Sequence, residues 1–472
     1  MSVTAEIPAG TARIPTRTWI GLAALVITFF AYTTLEVWIS PALPVIQEQL
    51  NASDASIALV FAAMLVCAAV STTLAGRLGD VYGLRPVLLA VLAVLSAGIA
   101  LAAAATSIQV LALGQALQGV GMGSVPLSVA ILRGMFPPSR VTSAIGIFVS
   151  ASAVGSVLGF VLPGHVLDVL SYRWLFLLPL FTIVLATLVA WRCLPATPPK
   201  GARRRVDWLG AVGLTLGLTV LLFAVMLSPA LGWLSVKTLA LYGLALAVLC
   251  AWTLIEARSR EPLIALGLLR QRSVWINGLV SFTIGFGIFA SMTLVPLLAA
   301  RPRSGGIGFD AGTTEVGLLL LPLGVAGALI GPLIGYLDRR MGARAIVRLG
   351  MAALTLGLFG LVFLHTEKWH IVLGVTVSGS GIYLALTALI NLITCSVAEE
   401  DVGFAAGLPL TARSIGGALG AQVCASVLAS KTPHGTDNAL ELGYTISFAT
   451  ATAVAFGGLM LSLALPAARR KQ

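Results

Sequence analysis

Apolar residues in this chain come in long unbroken runs rather than in stripes. From Trp19 onward, apolar stretches of about 20 residues alternate with short polar segments rich in Arg, Gly and Pro. At about 1.5 Å per residue, each stretch as a helix matches a hydrocarbon layer about 30 Å thick. The pattern predicts about fourteen spans: 18–40, 55–75, 87–106, 110–132, 143–163, 173–191, 208–227, 238–255, 275–299, 313–335, 346–364, 371–396, 403–429 and 443–465. A backbone in lipid must satisfy its own hydrogen bonds. Helices do so, and the alternating pattern of a barrel strand is not visible. The first run is long, lacks a small-residue cleavage site and is followed by similar runs, so it reads as a span rather than a cleaved leader. The expected fold class is an all-α polytopic membrane protein.

Composition narrows this further. The 472 residues are 58% hydrophobic and 10% charged, with mean hydropathy +1.00. Soluble domains carry roughly 25% charged residues, so there is too little charge to cover several soluble domains. The net charge of +11 raises the question of nucleic acid, and its placement answers it. With the N-terminus on the cytoplasmic side, 22 of the 29 Lys and Arg fall in inner segments, 6 in outer segments, and Arg413 lies within a span. That bias predicts a multi-pass protein of the cell (inner) membrane with both termini cytoplasmic, whose basic residues meet the inner leaflet. The basic run Arg203–Arg205 reads as a topology anchor, with anionic lipid as the alternative ligand.

The chain also repeats itself. GRLGDVYGLR at Gly76–Arg85 returns as GYLDRRMGAR at Gly335–Arg344, an offset of 259. Gly114, Gly119 and Gly121 match Gly374, Gly379 and Gly381 at 260. Val141, Gly146, Gly155, Leu158 and Gly159 match Val402, Gly407, Gly416, Leu419 and Gly420 at 261. Three sets in one order point to tandem six-span halves. The expected organisation is a tail 1–17, a first bundle 18–192, a linker with two inserted helices 193–273, a second bundle 274–465 and a tail 466–472. The prolines of Leu194–Val206 end the first half, and the charged segment Ile255–Arg272 is expected along the inner membrane face.

At these residues the chain resembles the major facilitator superfamily and, more narrowly, its fourteen-span drug:proton antiporter branch. GRLGDVYGLR resembles the superfamily's loop signature and GQALQGVGMG, 114–123, its span-four signature. SYRWLFLLP, VDWLG, EPLIALGLLRQR and TARSIGGALGAQV resemble local patterns of the branch. The resemblance implies two six-helix bundles plus two extra helices, working by alternating access. It implies that Gly76, Arg77, Asp80, Gly83 and Arg85 form an inner gate; the plainer alternative is a charged loop that fixes topology. Asp80 is placed to accept hydrogen bonds at a helix N-terminus, and Gly76 and Gly83 to allow a tight turn or close contact. In the second copy Asp338 sits one position early and Arg339 takes the acid's place.

Two departures bear on energy coupling. ASAVGSVLGF, 151–160, keeps Gly155 and Gly159 of the branch's span-five signature, but Ser156 replaces its proline and Phe160 its last glycine. Gln115 stands where the pattern places an arginine associated with proton coupling, and an amide holds no charge. Gly119, Gly155, Gly159, Gly416 and Gly420 are expected to serve close helix packing, with a specific role in coupling as the alternative for Gly155 and Gly159.

Two charges lie inside spans, Glu36 and Arg413. Intramembrane charge is costly and faces a partner or a cavity, so both are candidates for proton or cation coupling. The alternatives are an early end to span one, which places Glu36 at the outer headgroups, and a structural bond from Arg413 to carbonyls or to the Asp80 loop. The branch pattern aligns its acid with Leu35 rather than Glu36. Tyr32, Trp38, Gln115, Gln118, Phe289, Met292 and Asn391 are candidates to line an amphipathic pocket, with packing as the alternative for each. The histidines, His165, His365, His370 and His434, are expected at the surface. Cys67, Cys193, Cys250, Cys395 and Cys424 are too scattered for a disulfide or zinc framework, and most of them read as small packing residues. No phosphate-cradling loop, metal cluster or catalytic set occurs, so no cofactor and no enzyme activity are expected. The leading expectation is a monomeric secondary exporter of amphipathic or lipophilic small molecules, exchanging them for protons. A proton-independent facilitator or lipid-like substrate exporter, and a non-transporting receptor, are the alternatives.

Overall fold

The computed structural model describes residues 15–50, 52–196, 208–259, 271–303, 308–394, 402–430 and 441–465. Among them there are helices and no strands. In chain order these are α1 Thr16–Gln49, α2 Asp54–Tyr82, α3 Leu84–Ala103, α4 Ile108–Gly119, α5 Ser124–Met135, α6 Pro138–Val169, α7 Trp174–Cys193, α8 Trp208–Leu231, α9 Val236–Arg258, α10 Arg272–Ala299, α11 Thr313–Met341, α12 Ala343–Phe363, α13 Lys368–Thr394, α14 Val402–Ser430 and α15 Glu441–Leu463. Among the described residues, 12 spans are long and apolar enough to cross a membrane, α4 and α5 counting together as one. The expected fourteen exceeds this by two, at α11 and α14, which run over residues whose side chains are outside the described set. Most of the two charged linkers, 197–207 and 260–270, also lies outside it, as do Cys395 and His434.

Local chemistry sets the helix ends. Ser53, Ser107 and Ser235 each accept a hydrogen bond from the backbone N–H three residues on, capping α2, α4 and α9. The expected span 110–132 is broken between α4 and α5 by a 3-10 turn, Val120–Gly123. The cause is its glycines. A Cβ on Gly119 would lie 2.0 Å from the Met64 carbonyl oxygen and one on Gly123 2.4 Å from the Ser71 hydroxyl, so α2 presses on the turn. Ser71 donates to the Val120 carbonyl at 2.7 Å, supplying a partner there.

The repeated glycines make the same contacts twice. Gly98 packs on Gly114 as Gly357 packs on Gly374, each with a virtual Cβ within 2.8 Å of the partner's carbonyl oxygen. Gly155 and Gly159 on α6 approach the Phe30 and Thr34 carbonyls of α1. Gly416 and Gly420 on α14 approach those of Phe282 and Phe286 on α10. Where no side chain intervenes, backbones touch and dispersion replaces the missing hydrophobic drive between helices in lipid. Gly83 and Gly342, equivalent in the two motif copies, both take positive φ (94° and 78°), and only there does the chain turn between α2 and α3 or α11 and α12. The stretch read as a loop is therefore mostly the last turns of α2. Gly76 lies within that helix with open space around it, so it serves neither turn nor contact.

The two sets of helices meet along three seams. At the end that the charge bias assigns to the outside, the Ser40 hydroxyl donates to the Met292 carbonyl at 2.6 Å, and Phe61 meets Phe289 edge-on with centroids 6.0 Å apart. In the α6–α11 seam Gly164 abuts Thr314 and Gly317 abuts the Phe160 carbonyl. Thr73 and Thr411 hydrogen-bond across the α2–α14 seam at 3.1 Å. The inserted helices α8 and α9 form a hairpin, in which Gly213 packs on Trp252 and Ser228 bonds Tyr242 at 2.7 Å; α8 lies against both α2 and α14.

Two expectations about minor residues change. His365 is buried rather than at the surface: its Nδ1 pairs with the Leu361 carbonyl at 2.9 Å and its ring lies near Phe448. The loop after α12 folds back over α15, which a hydropathy pattern does not show. Cys250 is exposed on α9 rather than packed inside.

Candidate functional site

Glu36 and Arg413 come from helices at opposite ends of the chain and meet where the two bundles face each other. Glu36 is on α1, which continues to Gln49 rather than ending near residue 40. The thirteen residues beyond Glu36 extend about 20 Å at 1.5 Å per residue, so α1 does not end at the carboxylate. Pro41 and Pro44 do not end α1, because its outer half is buried against neighbouring helices and the Ser40 hydroxyl bonds across to α10. Arg413 is on α14, whose height against α10 is set by backbone contact. A Cβ on Gly285 would lie 1.9 Å from the Arg413 carbonyl oxygen.

The Arg413 Nη2 lies 3.7 Å from Glu36 Oε1, and the side chains are 12% and 13% exposed. That is an ion pair without a tight hydrogen bond, largely buried between the bundles. The Arg413 guanidinium carbon lies 6.0 Å from the Phe289 ring centroid. Arg413 Nε is buried with no hydrogen-bond partner among the described residues. Two phenols, Tyr32 on α1 and Tyr383 on α13, lie within electrostatic reach of both charges. Tyr383 reaches Ser156 on α6, and its ring lies against Gly327 of α11. The Tyr32 ring lies against Gly121. Six helices from both bundles thus surround one buried acid–base pair. The pair can hold a proton, release it, or exchange the guanidinium for another cation.

Other candidate residues fall elsewhere. Gln115 and Gln118 are buried on α4, where Gln115 Nε2 donates to Gln118 Oε1 at 3.1 Å and Gln118 Nε2 to the Gly98 carbonyl at 3.5 Å. Their bonds run to each other and to α3, not to the ion pair. Trp38, two residues and about 200° beyond Glu36, packs with Leu35, Ile39, Leu175 and Phe176 toward α7. Met292 belongs to the outer closure through its carbonyl. Nothing of the Asn391 side chain is described.

In the expected gate, Arg77 and Asp80 are half-buried in the last turns of α2 and each has a partner. Arg85 donates from Nη2 to the Trp191 carbonyl, and Arg17 donates to the Arg192 and Cys193 carbonyls at 2.7 and 3.2 Å. Both arginines therefore cap the C-terminus of α7, where the helix dipole favours a cation. Arg348 does the same for α15 through the carbonyls of Ser462 and Leu463. The side chains of Asp338 and Arg339 are outside the described residues.

Tyr383 was not anticipated. Its signal is a broken repeat: at the offset of 260 it stands opposite Gly123, as Arg413 stands opposite Ser152 at 261. Departures from internal symmetry marked this site better than the shared motif did.

Comparison with known proteins agrees with this architecture. The multidrug resistance protein Stp of Mycobacterium tuberculosis is 30% identical over 398 residues, covering 83% of this chain and 72% of that protein. The tetracenomycin C resistance and export protein of Streptomyces glaucescens is 27% identical over 444 residues, covering 91% and 80%. Among solved structures, a peptide transporter POT in complex with sulfate superposes with a TM-score of 0.68 at 16% identity, covering 94% of this chain and 93% of that one. The family model for the Major Facilitator Superfamily matches residues 22–421, and the chain belongs to that superfamily of membrane transporters.

Proposed function

We propose that this protein is a secondary active exporter of amphipathic or lipophilic small molecules. In this reading it exchanges them for protons at the Glu36–Arg413 pair by alternating access. The observation that carries the reading is that the two intramembrane charges, one from each bundle, lie 3.7 Å apart and largely buried at the bundle interface. An uncompensated charge inside a span is expensive, so each loaded form must present a partner to Glu36: a proton, the guanidinium or a substrate cation. Export of drug-like compounds is favoured by the likeness to the multidrug resistance protein Stp and the tetracenomycin C resistance and export protein.

If the termini are cytoplasmic, the contacts of Ser40 with Met292 and of Phe61 with Phe289 are ones that opening to the outside has to break. Motion of residues 18–192 against 274–465 would break them on the way to an outward-open state. Both bundles, the inserted pair and the monomeric state belong to this proposal. In proteoliposomes with an imposed pH gradient, wild type accumulates substrate and Glu36→Gln does not; unchanged gradient-driven transport by the variant would sink the reading.

A second reading, proton-independent facilitation, is favoured by one observation. Gln115 holds an amide pair with Gln118 where the resembled branch has a coupling arginine. Absence of proton movement on substrate addition, with substrate flux intact, would select it.

A further inference from the structure

We propose that the Arg413 side chain is a tethered competitor, occupying the seat a cationic substrate takes and setting the site's selectivity. This rests on the reading of the Glu36 site as the transport site. Arg413 occupies both features that recognise an organic cation: the Glu36 carboxylate at 3.7 Å and the face of Phe289 at 6.0 Å. It is also weakly held there. A guanidinium carries five donors in a rigid fork and is strongest when bidentate on a carboxylate. Here its approach to Glu36 exceeds hydrogen-bond length and its Nε has no hydrogen-bond partner among the described residues. Compare Arg17, whose fork donates two backbone hydrogen bonds at 2.7 and 3.2 Å. A structural arginine in this molecule looks like Arg17, and Arg413 does not.

The backbone of Arg413 is fixed against Gly285, so its side chain swings without moving α14. A monovalent cation with aromatic or alkyl bulk matches these groups in chemistry, because Tyr32 and Tyr383 add phenol rings beside the carboxylate. To bind, it must displace the guanidinium, a built-in cation. The ionisable groups facing the pair are Tyr32 on its own helix and Tyr383 from α13; among the described residues no other carboxylate faces it. Selectivity follows. Neutral lipophiles do not compete with the guanidinium, whereas a cation gains the seat only by being a better fit than the built-in one.

The test is equilibrium binding of tetraphenylphosphonium to the purified full-length protein in detergent, beside the neutral triphenylphosphine oxide. Arg413→Gln is expected to tighten cation binding about tenfold and leave the neutral probe unchanged. Arg413→Cys gives the comparison within one folded sample. Attaching a cationic aminoethyl disulfide to the thiol should weaken cation binding again, and a neutral methyl disulfide should not; wild type treated alike controls for the native cysteines. Unchanged or weaker cation binding in Arg413→Gln, or no difference between the two attached groups, overturns the proposal. Glu36→Gln separates the two layers. If it abolishes cation binding while removing Arg413 tightens nothing, only the tethered-competitor inference fails. If cation binding survives Glu36→Gln, the transport-site reading fails with it.

Discussion

The charge inventory of the site makes a prediction about driving force. Arg413 carries a guanidinium cation, and Glu36 is negative or protonated. With a proton on Glu36 the pair carries one positive charge. With the carboxylate ionised and a monovalent cation seated on it, the pair again carries one positive charge. Exchange of one proton for one such cation therefore moves no net charge through the membrane. A pH gradient of one unit supplies about 1.36 kcal/mol, enough for about tenfold accumulation. A potential of 100 mV acts with about 2.3 kcal/mol on each charge moved, about fiftyfold for a single charge, and here has none to act on. The assay is tetraphenylphosphonium uptake into proteoliposomes, with the proton gradient and a potassium diffusion potential imposed separately and protein-free liposomes subtracted. Accumulation that follows the potential and ignores the proton gradient would refute the charge count.

Other outcomes follow from the packing. Gly416→Ala places a Cβ 1.9 Å from the Phe282 carbonyl oxygen and should destabilise the protein by about 1–3 kcal/mol through overpacking, whereas Gly146→Ala meets open space and should be neutral or stabilising by up to about 1 kcal/mol; thermal unfolding in detergent compares them. Ser40→Ala removes the bond to Met292 that spans the outer seam, a net loss of about 0.5–1.5 kcal/mol, and should open that seam several-fold more often. Labelling of Leu43→Cys by an impermeant thiol reagent added outside reads this, and an unchanged rate would show that the bond does not hold the seam. Arg17→Ala frees the last carbonyls of α7 and should cost no more than about 1 kcal/mol in the same unfolding assay, because the cap is exposed.

How much of this was legible in the sequence depends on the kind of feature. The positions of the twelve spans found among the described residues followed from apolar run length, because lipid tolerates few alternatives. Equivalent glycines such as Gly98 and Gly357, or Gly83 and Gly342, share contacts and backbone angles because the repeat carries geometry with it. Glu36 and Arg413 stood out because charge within an apolar run is rare. Their pairing did not, because nothing local to α1 or α14 records which helices become neighbours. The extension of α1 past Pro41 and Pro44 was hidden for the same reason: proline reads as a breaker until its neighbours are known. The Arg85 cap on α7 was obscured by a motif reading that assigned the residue elsewhere. Tyr383 was overlooked because a single phenol in a long apolar helix resembles ordinary packing.

The measurement closest to the central claim is proton release on substrate binding. Purified protein in weak buffer with a pH-sensitive dye, held where Glu36 is largely protonated, receives saturating tetraphenylphosphonium. Exchange at Glu36 requires about one proton released per cation bound by wild type and none by Glu36→Gln. Cation binding without proton release in wild type, or equal release from both proteins, would contradict it.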